Sequence, residues 1–112
     1  MQGKSDLEEL REKITAFTHE RDWDQFHDGK NLAIALSLEA SELLEAFLWK
    51  KAEDVKIEKV REELADVVNY SILIADKYNL DIKQIVLEKL ERNAAKYPIE
   101  KAKGTAKKYN EL

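Results

Sequence analysis

Apolar residues recur at the spacing of an α-helix along most of the chain, and few residues interrupt that pattern. In the first stretch, Leu7, Leu10, Ile14 and Phe17 fall on one helical face. The 112 residues include only three Gly and one Pro, so little of the turn chemistry that separates short strands is present. The sequence therefore predicts an all-α fold, a four-helix bundle.

The ends of the four helices are indicated by capping residues. Ser5 can cap the first helix, with Glu8 completing a capping box, Asp54 can cap the third, and Asp81 can cap the fourth. Asn79 suits the left-handed position after the third helix. We predict helices over about 5–20, Asn31 to Trp49, Asp54 to Tyr78 and 81–96, with a loop at 21–30. The whole chain, 1–112, is predicted to be one domain, with a helical core of about 5–97 and a partly basic tail, 98–112.

Charge and composition exclude several classes of function. The net charge of −4 and the pI near 5.3 argue against broad nucleic-acid binding, which needs a basic face. The sequence contains no Cys and no long uncharged apolar run, so we expect neither disulfides, thiolate metal sites nor a membrane partner. A cytoplasmic setting fits the absence of Cys.

The second predicted helix is apolar on almost every side. Leu32 and Leu43 project to one side, whereas Ile34, Leu38 and Leu44 project to others. A helix that is apolar all round is normally buried, and a chain of this length can hardly cover one helix completely. We therefore expect association into a homo-oligomer. The plainer alternative is that Ala and Ser make one face of the helix less apolar and that this face is simply exposed to solvent.

Two carboxylate pairs stand out because they lie on apolar helix faces. Glu39 and Glu42 on the second helix, and Glu63 and Asp66 on the third, are each spaced i and i+3 and so share a face. A single pair of this kind is a weak signal. Buried carboxylates, however, need a partner or a metal ion, because isolated charges are costly to bury.

A hard divalent cation is the partner that best fits several converging carboxylates. Oxygen ligands favour Mg²⁺, with Mn²⁺ as a substitute, whereas two His and no Cys make a zinc site a poor match. The alternative is structural: Glu39 and Glu63 would form buried salt bridges, with Arg61 or Lys59 as partners.

The fourth helix carries a polar stripe, and aromatic residues are scattered elsewhere. Lys89, Asn93 and Lys96 fall on one face, where they could hold phosphate oxygens, although a solvated helix end is an equally good interpretation. Aromatic side chains could stack on a base or simply form core. His19 and His27 are predicted to be structural or solvent-facing, since neither is paired with a nucleophile.

The combined pattern resembles the all-α NTP pyrophosphohydrolases, the MazG-like family. The family pattern of ExxE, a spacer and ExxD is matched by Glu39-Ala-Ser-Glu42, twenty residues, and Glu63-Leu-Ala-Asp66. Within the family the resemblance is greatest to the dCTP pyrophosphatase subgroup. It rests on the segments 20–27, 47–50, 93–98 and 104–112, and it extends from about residue 7 to the C-terminus.

The resemblance implies a function and a set of site residues. The enzyme would hydrolyse a nucleoside triphosphate, dCTP or a modified dCTP, to the monophosphate and pyrophosphate, and would cleanse the nucleotide pool. It would need Mg²⁺ and assemble as a tetramer, or as a dimer. The implied catalytic and metal-binding residues are Glu39, Glu42, Glu63 and Asp66, the phosphate-binding residues are Lys89, Asn93, Lys96 and Tyr97, and the base-binding residues are Trp23, Trp49 and Tyr70.

Two other interpretations stay open at this point. The same metal site could serve another nucleotide, such as dUTP, with a different base pocket. Alternatively, the chain could be a non-enzymatic helical interaction module, with the apolar second helix as its docking surface.

Overall fold

The computed structural model describes residues 3–112, and within that range the secondary structure is helical, with no strand. The chain forms two units, one through Leu80 and one from Asp81 to Leu112. The prediction that residues 1–112 act as a single domain stays a prediction. The helices are α1 (Asp6–Glu20), α2 (Gly29–Glu45), α3 (Ile57–Lys77), α4 (Ile82–Lys96) and the short α5 (Ile99–Ala102).

Helix α1 begins and ends through local hydrogen bonds. The Ser5 side chain accepts from the Glu8 N–H at 3.2 Å, which confirms the predicted cap. At the other end Asp22 takes a left-handed φ of 57°. The Asp22 and Trp23 N–H groups donate to the carbonyls of His19 and Thr18, both at 3.0 Å. This Schellman arrangement closes the helix and turns the chain into the loop.

Helix α2 is shifted toward the N-terminus relative to the prediction of Asn31 to Trp49. It begins at Gly29 because the Asp28 carboxylate accepts from the Asn31 N–H at 2.7 Å and so acts as the N-cap. It ends at Glu45 because the following turn uses tighter i to i+3 bonds, such as Leu48 N–H to the Glu45 carbonyl at 3.2 Å. Both predicted ends of this helix were wrong for these reasons.

Helix α3 begins later than predicted and ends as predicted. Asp54 is not its cap, because it lies in a separate 3₁₀ turn, Ala52–Asp54, and the helix starts at Ile57. At the C-terminus Asn79 adopts a φ of 53°, and the Leu80 N–H donates to the Ala75 carbonyl at 2.8 Å. The left-handed role predicted for Asn79 is confirmed.

The core of the first unit forms where α3 packs against both α1 and α2. Leu32 and Ile72 are its most deeply buried side chains. Arg11 on α1 donates to the Asp76 carboxylate on α3 at 3.1 Å and ties the two helices together. These contacts fix the relative position of the helix faces that carry the predicted carboxylates.

Much of the apolar surface of α2 is not covered within the chain. Ile34, Leu38 and Leu44 are 49%, 60% and 61% exposed. The sequence prediction that α2 carries more apolar surface than one chain buries is therefore confirmed, whereas the oligomer inferred from it stays a prediction. Among residues 3–112, no helix is long and apolar enough to cross a membrane.

The second unit contains α4, α5 and the C-terminal tail. The Asp81 carboxylate accepts from the Gln84 N–H at 2.9 Å, as predicted for the cap of α4. The tail folds back within this unit: the Tyr109 ring meets Tyr97 edge-on, with 6.2 Å between centroids, and the Lys96 ammonium lies 4.9 Å from the Tyr109 centroid.

Candidate active site

Three of the four predicted carboxylates converge where α2 faces α3. One carboxylate oxygen from each of Glu39, Glu63 and Asp66 lies within 4.8 Å of those of the other two. Glu63 is buried, and Glu39 and Asp66 are half-buried. The i, i+3 spacing places Glu63 and Asp66 on one face of α3, and the packing of α2 brings Glu39 to that face. We call these three residues the carboxylate cluster.

The electrostatics of the cluster disfavour three full negative charges. Burial is the largest cause that raises the pKa of Glu39 to about 7, and the neighbouring carboxylates of Glu42, Asp66 and Glu63 contribute to the same shift. The same two causes act on Tyr70, whose pKa is raised by burial and by Glu39 and Asp66. The cluster therefore holds a proton near neutral pH unless a cation takes its place.

Glu63 is paired on one side only. Its Oε1 accepts from the Lys59 ammonium at 2.8 Å, one helical turn earlier, and this contact holds the pKa of Glu63 below its usual value. The salt bridge that the structural alternative proposed between Lys59 and Glu63 is thus present. The second oxygen, Oε2, is buried and has no hydrogen-bond partner among residues 3–112, and the same is true of Oε2 of Glu39.

The unpartnered oxygens are the observation that decides whether a metal ion fits. Buried carboxylate oxygens are almost always hydrogen-bonded or bound to a cation. Here two such oxygens belong to residues of one three-carboxylate group. An all-oxygen donor set suits a hard divalent ion. Glu39, Glu63 and Asp66 therefore fit a divalent cation.

Glu42 lies beside the cluster and not within it. Its side chain is exposed, and it is close enough to Glu39 and Glu63 to influence the pKa of both carboxylates. Glu42 follows Glu39 by three residues, so it lies on the same face of α2 one turn later, where it is more exposed to solvent. The predicted set of four is thus divided into three converging carboxylates and one at their edge.

A cavity of about 440 Å³ opens next to the cluster, with Asp66 in its wall. Its size lies within the range of roughly 300–1,000 Å³ that is usual for small-molecule sites. The predicted base-binding residues Trp23 and Tyr70 both line it. The other apolar lining residues are Ile14, Phe17 and Leu73, and the polar ones are Lys13, Thr18, His27 and Asn69.

The helix end of α1 determines where Trp23 lies. The Schellman turn places the Trp23 ring edge-on against Phe17, with 5.7 Å between centroids. The buried Thr18 hydroxyl contacts Asp24 at 3.1 Å and holds the loop to the helix. The pKa of Asp24 is lowered because it also accepts from His19. An aromatic wall is therefore built by local contacts before any ligand is bound.

Trp49, the third predicted base-binding residue, does not line this cavity. It lies in the connection after α2 with a left-handed φ of 64°, and its side chain is 99% exposed. A bulky residue in that conformation is strained. Its base-binding role stays a prediction, which nothing within the single chain supports.

The predicted phosphate-binding residues lie together at the end of α4 in the second unit. Lys89, Asn93 and Lys96 share one helical face, and the N–H of Tyr97 donates to the Asn93 carbonyl at 2.8 Å. Lys89 and Lys96 are exposed, and neither makes a salt bridge with another residue in the range 3–112.

Sequence reasoning missed Asn69 and gave no ligand role to His27, which it predicted to be structural or solvent-facing. His27 lies in the wall of the cavity, and its Nδ1 atom is buried with no partner among the described residues. Asn69 follows Val67 and Val68 on α3 and comes directly before Tyr70. An amide within that apolar run, one turn after Asp66, was the signal that could have identified it.

Comparisons with known proteins agree with this geometry. The MazG-like family model matches residues 34–112. The chain is 37% identical to dCTP pyrophosphatase 1 of Bos taurus over 114 aligned residues, which cover 95% of this chain and 68% of that protein. It is 36% identical to dCTP pyrophosphatase 1 of Homo sapiens, with 95% and 67% covered.

A solved structure has the same fold. The crystal structure of a pyrophosphatase from Archaeoglobus fulgidus superposes with a TM-score of 0.78 at 34% sequence identity, over 88% of this chain and 97% of that one. The family match covers well over half of the chain, and the relatives are similar along nearly all of it. The chain therefore belongs to the MazG-like family.

Proposed function

We propose that the chain is a nucleotide pyrophosphohydrolase that cleaves a nucleoside triphosphate, with dCTP or a modified dCTP as the preferred substrate. Water adds at the α-phosphorus, the bond to the β-phosphate oxygen breaks, and the products are the monophosphate and pyrophosphate. The observation that carries the proposal is the carboxylate cluster with two unpartnered buried oxygens beside an aromatic-lined cavity. The relatives named dCTP pyrophosphatase 1 support the choice of substrate.

Glu39, Glu63 and Asp66 are proposed as the ligands of Mg²⁺, for which Mn²⁺ can substitute, and Glu42 as a fourth catalytic carboxylate. The ion would neutralise triphosphate charge and make the α-phosphorus more susceptible to attack. Glu42, which is the one carboxylate of the four not proposed as a ligand, is proposed to accept a proton from the attacking water.

The base would occupy the 440 Å³ cavity, with Trp23 and Tyr70 as its aromatic walls. Asp66 contributes to both the cluster and the cavity, so a nucleotide held there would have its phosphates close to the carboxylates. Trp49 is kept as a proposed base-binding residue. Its backbone is strained and its ring is almost fully exposed, so the ring would be available to the site of a partner subunit.

Lys89, Asn93, Lys96 and Tyr97 are proposed to bind the triphosphate oxygens. Their common helical face supports this role, as does the absence of salt bridges from the two lysines to other residues in the range 3–112. Replacing Lys89 or Lys96 by Gln should raise KM for the triphosphate. Lys83→Gln, on another face of α4, is the matched control, and equal effects of all three changes would contradict the assignment.

The basic tail is proposed to close over a site. Its Tyr109 already packs against Lys96 and Tyr97, which places the tail next to residues proposed to bind phosphate. Deleting residues 103–112 should raise KM, and an unchanged KM would show that the tail is not part of the site.

Association into a homo-oligomer, a tetramer or dimer, is proposed from the exposed apolar residues of α2, Ile34, Leu38 and Leu44. Light scattering should give a mass of two or four chains, and Leu38→Asp should lower it. We also propose a cytoplasmic location, where nucleoside triphosphates are found and where a chain without Cys has no need of oxidising conditions.

The experiment that tests the function is a product assay on a panel of nucleoside triphosphates with Mg²⁺. Monophosphate plus pyrophosphate, fastest with dCTP or a 5-substituted analogue and lost on adding EDTA, is expected. If another nucleotide, such as dUTP, is hydrolysed fastest, the proposed pyrophosphohydrolase reaction stands but the proposed preference for dCTP is wrong. Release of orthophosphate, or no turnover of any nucleotide, would overturn the proposal.

A further inference from the structure

Asn69 occupies a position between the carboxylate cluster and the aromatic cavity. It lies on α3 one turn after Asp66 and directly before Tyr70, and all three residues line the cavity. Its side chain is half-buried. A ligand that fills the cavity would therefore lie against the wall that contains Asn69 and Tyr70.

The Asn69 carboxamide has hydrogen-bonding groups that the fold does not use. It makes no side-chain hydrogen bond with any residue in the range 3–112. By contrast, the Thr18 hydroxyl in the same wall contacts Asp24 and the Thr15 carbonyl, and Lys13 pairs with Glu9 at 3.2 Å. Polar groups that are uncommitted in a pocket are the ones available to orient a ligand, and in this wall they include the Asn69 amide and the Nδ1 atom of His27.

A carboxamide matches a pyrimidine edge in either of two orientations. It offers an N–H donor and a carbonyl acceptor side by side. In one orientation these complement N3 and the N4 amino group of cytosine, and after a 180° rotation they complement N3–H and O4 of uracil. Because no hydrogen bond with residues 3–112 fixes the orientation of the Asn69 amide, both pairings are open to it.

We propose that Asn69 is a specificity-determining residue that recognises the hydrogen-bonding edge of a pyrimidine and admits cytosine and uracil alike. This inference rests on the proposed function and deepens it, because it names pyrimidine nucleoside triphosphates as the substrate class. It predicts that the wild-type protein hydrolyses dCTP and dUTP with kcat/KM values within roughly tenfold of each other, since each base forms the same number of hydrogen bonds with the amide.

The test compares Asn69→Leu, which keeps the approximate volume of the side chain but removes its polar groups, with wild type. The substrates are dCTP, dUTP and the deoxynucleoside triphosphate of 2,4-difluorotoluene, an apolar base shape without strong hydrogen bonds. Loss of the amide should lower kcat/KM for both natural substrates roughly 10- to 100-fold, the range expected for hydrogen bonds lost at a site shielded from water. Turnover of the difluorotoluene substrate should stay within about twofold of wild type.

Two further variants guard the interpretation. Asn69→Ala should give the same loss for dCTP and dUTP if the Leu variant fails to fold. Gln84→Leu removes an exposed amide on α4 and should leave all three substrates unaffected. An equal loss on all three substrates in the Asn69 variants would overturn the inference, because it would show a structural role. A loss confined to one natural base would overturn it as well.

A binding measurement separates this inference from the proposed function. The probes are the α,β-methylene analogues of dCTP and dUTP, which cannot be cleaved between those phosphates. If no triphosphate is hydrolysed but Asn69→Leu weakens binding of both analogues roughly 10- to 100-fold, the proposed function fails and base recognition by Asn69 stands. If dCTP is hydrolysed equally well by wild type and Asn69→Leu, the function stands and this inference fails.

Discussion

Thr18 and Glu63 are the two polar residues that are buried within the described part of the chain, and the fold treats them differently. Thr18 is 4% exposed, and its hydroxyl contacts both the Thr15 carbonyl and the Asp24 carboxylate. Glu63 is 5% exposed; its Oε1 atom is paired with Lys59, but its Oε2 atom has no partner among residues 3–112. The hydrogen bonding of Thr18 is satisfied by neighbouring residues, whereas Glu63 keeps one buried carboxylate oxygen that the described residues leave unbound.

The difference indicates which buried polar groups serve structure and which serve a ligand. A structural polar residue is buried together with its partners, because an unsatisfied group costs free energy of folding. An active-site group keeps a hydrogen-bonding or metal-binding atom without a partner in the free protein. The free energy that this costs is offset when the ligand binds to that atom. The predictions that follow test this contrast between the carboxylate cluster and the junction of α1 with its loop.

The largest effect is expected for Glu63→Gln. We expect kcat to fall about 10³-fold or more, because a ligand of the catalytic cation is lost. The melting temperature in EDTA should fall only slightly, because loss of the contact with the half-exposed Lys59 is largely offset by relief of repulsion within the cluster, and Mg²⁺ should no longer raise it. The measurements are kinetic assays and thermal unfolding with and without Mg²⁺. A clearly lower melting temperature in EDTA would mean that the Lys59 salt bridge is the main role of Glu63.

The opposite result is expected for Thr18→Val. Loss of the hydroxyl leaves Asp24 without one of its contacts and should cost about 1–2 kcal/mol of unfolding free energy. The activity of the folded protein should change much less than in Glu63→Gln. Denaturant unfolding and activity assays of the same samples give the comparison. A Thr18 variant with unchanged stability but lost activity would reverse the roles we assign to the two regions.

The pH dependence of stability should reveal Glu39. Its pKa is raised to about 7 in the folded protein, so the folded state binds the proton more tightly than the unfolded state does. The stabilisation is complete below the ordinary glutamate pKa of about 4.3 and is lost as the pH rises through about 7. Without metal, the free energy of unfolding should therefore decrease between pH 5 and 7.5.

Glu39→Gln should remove most of that decrease, and saturating Mg²⁺ should offset it in the wild-type protein. Glu63 does not confuse the comparison, because its pKa is lowered and its contribution is lost only in more acidic solution. Denaturant unfolding at a series of pH values provides the measurement. An equally steep decrease in Glu39→Gln would show that another group is responsible.

The smallest effect is expected where α1 is tied to α3. Arg11 and Asp76 form a salt bridge at 3.1 Å, but their side chains are 41% and 38% exposed. Asp76→Asn should therefore reduce the free energy of unfolding by only about 0.5 kcal/mol, and less at high salt. Loss of more than about 2 kcal/mol would place this bridge among the structural contacts that the fold depends on.

The sequence was sufficient to predict the helices and most of the cluster, because both follow from local spacing. The 3.6-residue repeat fixed which faces are apolar, and the capping residues Ser5, Asn79 and Asp81 marked helix ends correctly. The ends of α2 were missed because they depend on Asp28 and on a run of i to i+3 bonds, which a periodicity argument does not detect.

Other features depend on contacts between segments and could not be predicted from spacing. Whether Glu42 joins the cluster depends on how far α2 is rotated against α3, and the cavity depends on the turn that carries Trp23 back to Phe17. Asn69 was overlooked because an amide in an apolar run has meaning only once a cavity is known beside it. Where α4 and its lysines act relative to the cluster stays a prediction.

The most direct test of the central claim is a crystal structure of the protein soaked with Mn²⁺, with data collected near the manganese absorption edge. We expect an anomalous difference peak among Glu39, Glu63 and Asp66, with Oε2 of Glu39 or Glu63 about 2.0–2.3 Å from the ion, and no peak there in Glu63→Gln crystals. An anomalous peak at another position, with no ion in the carboxylate cluster and its buried oxygens still without a partner, would contradict the proposed metal site.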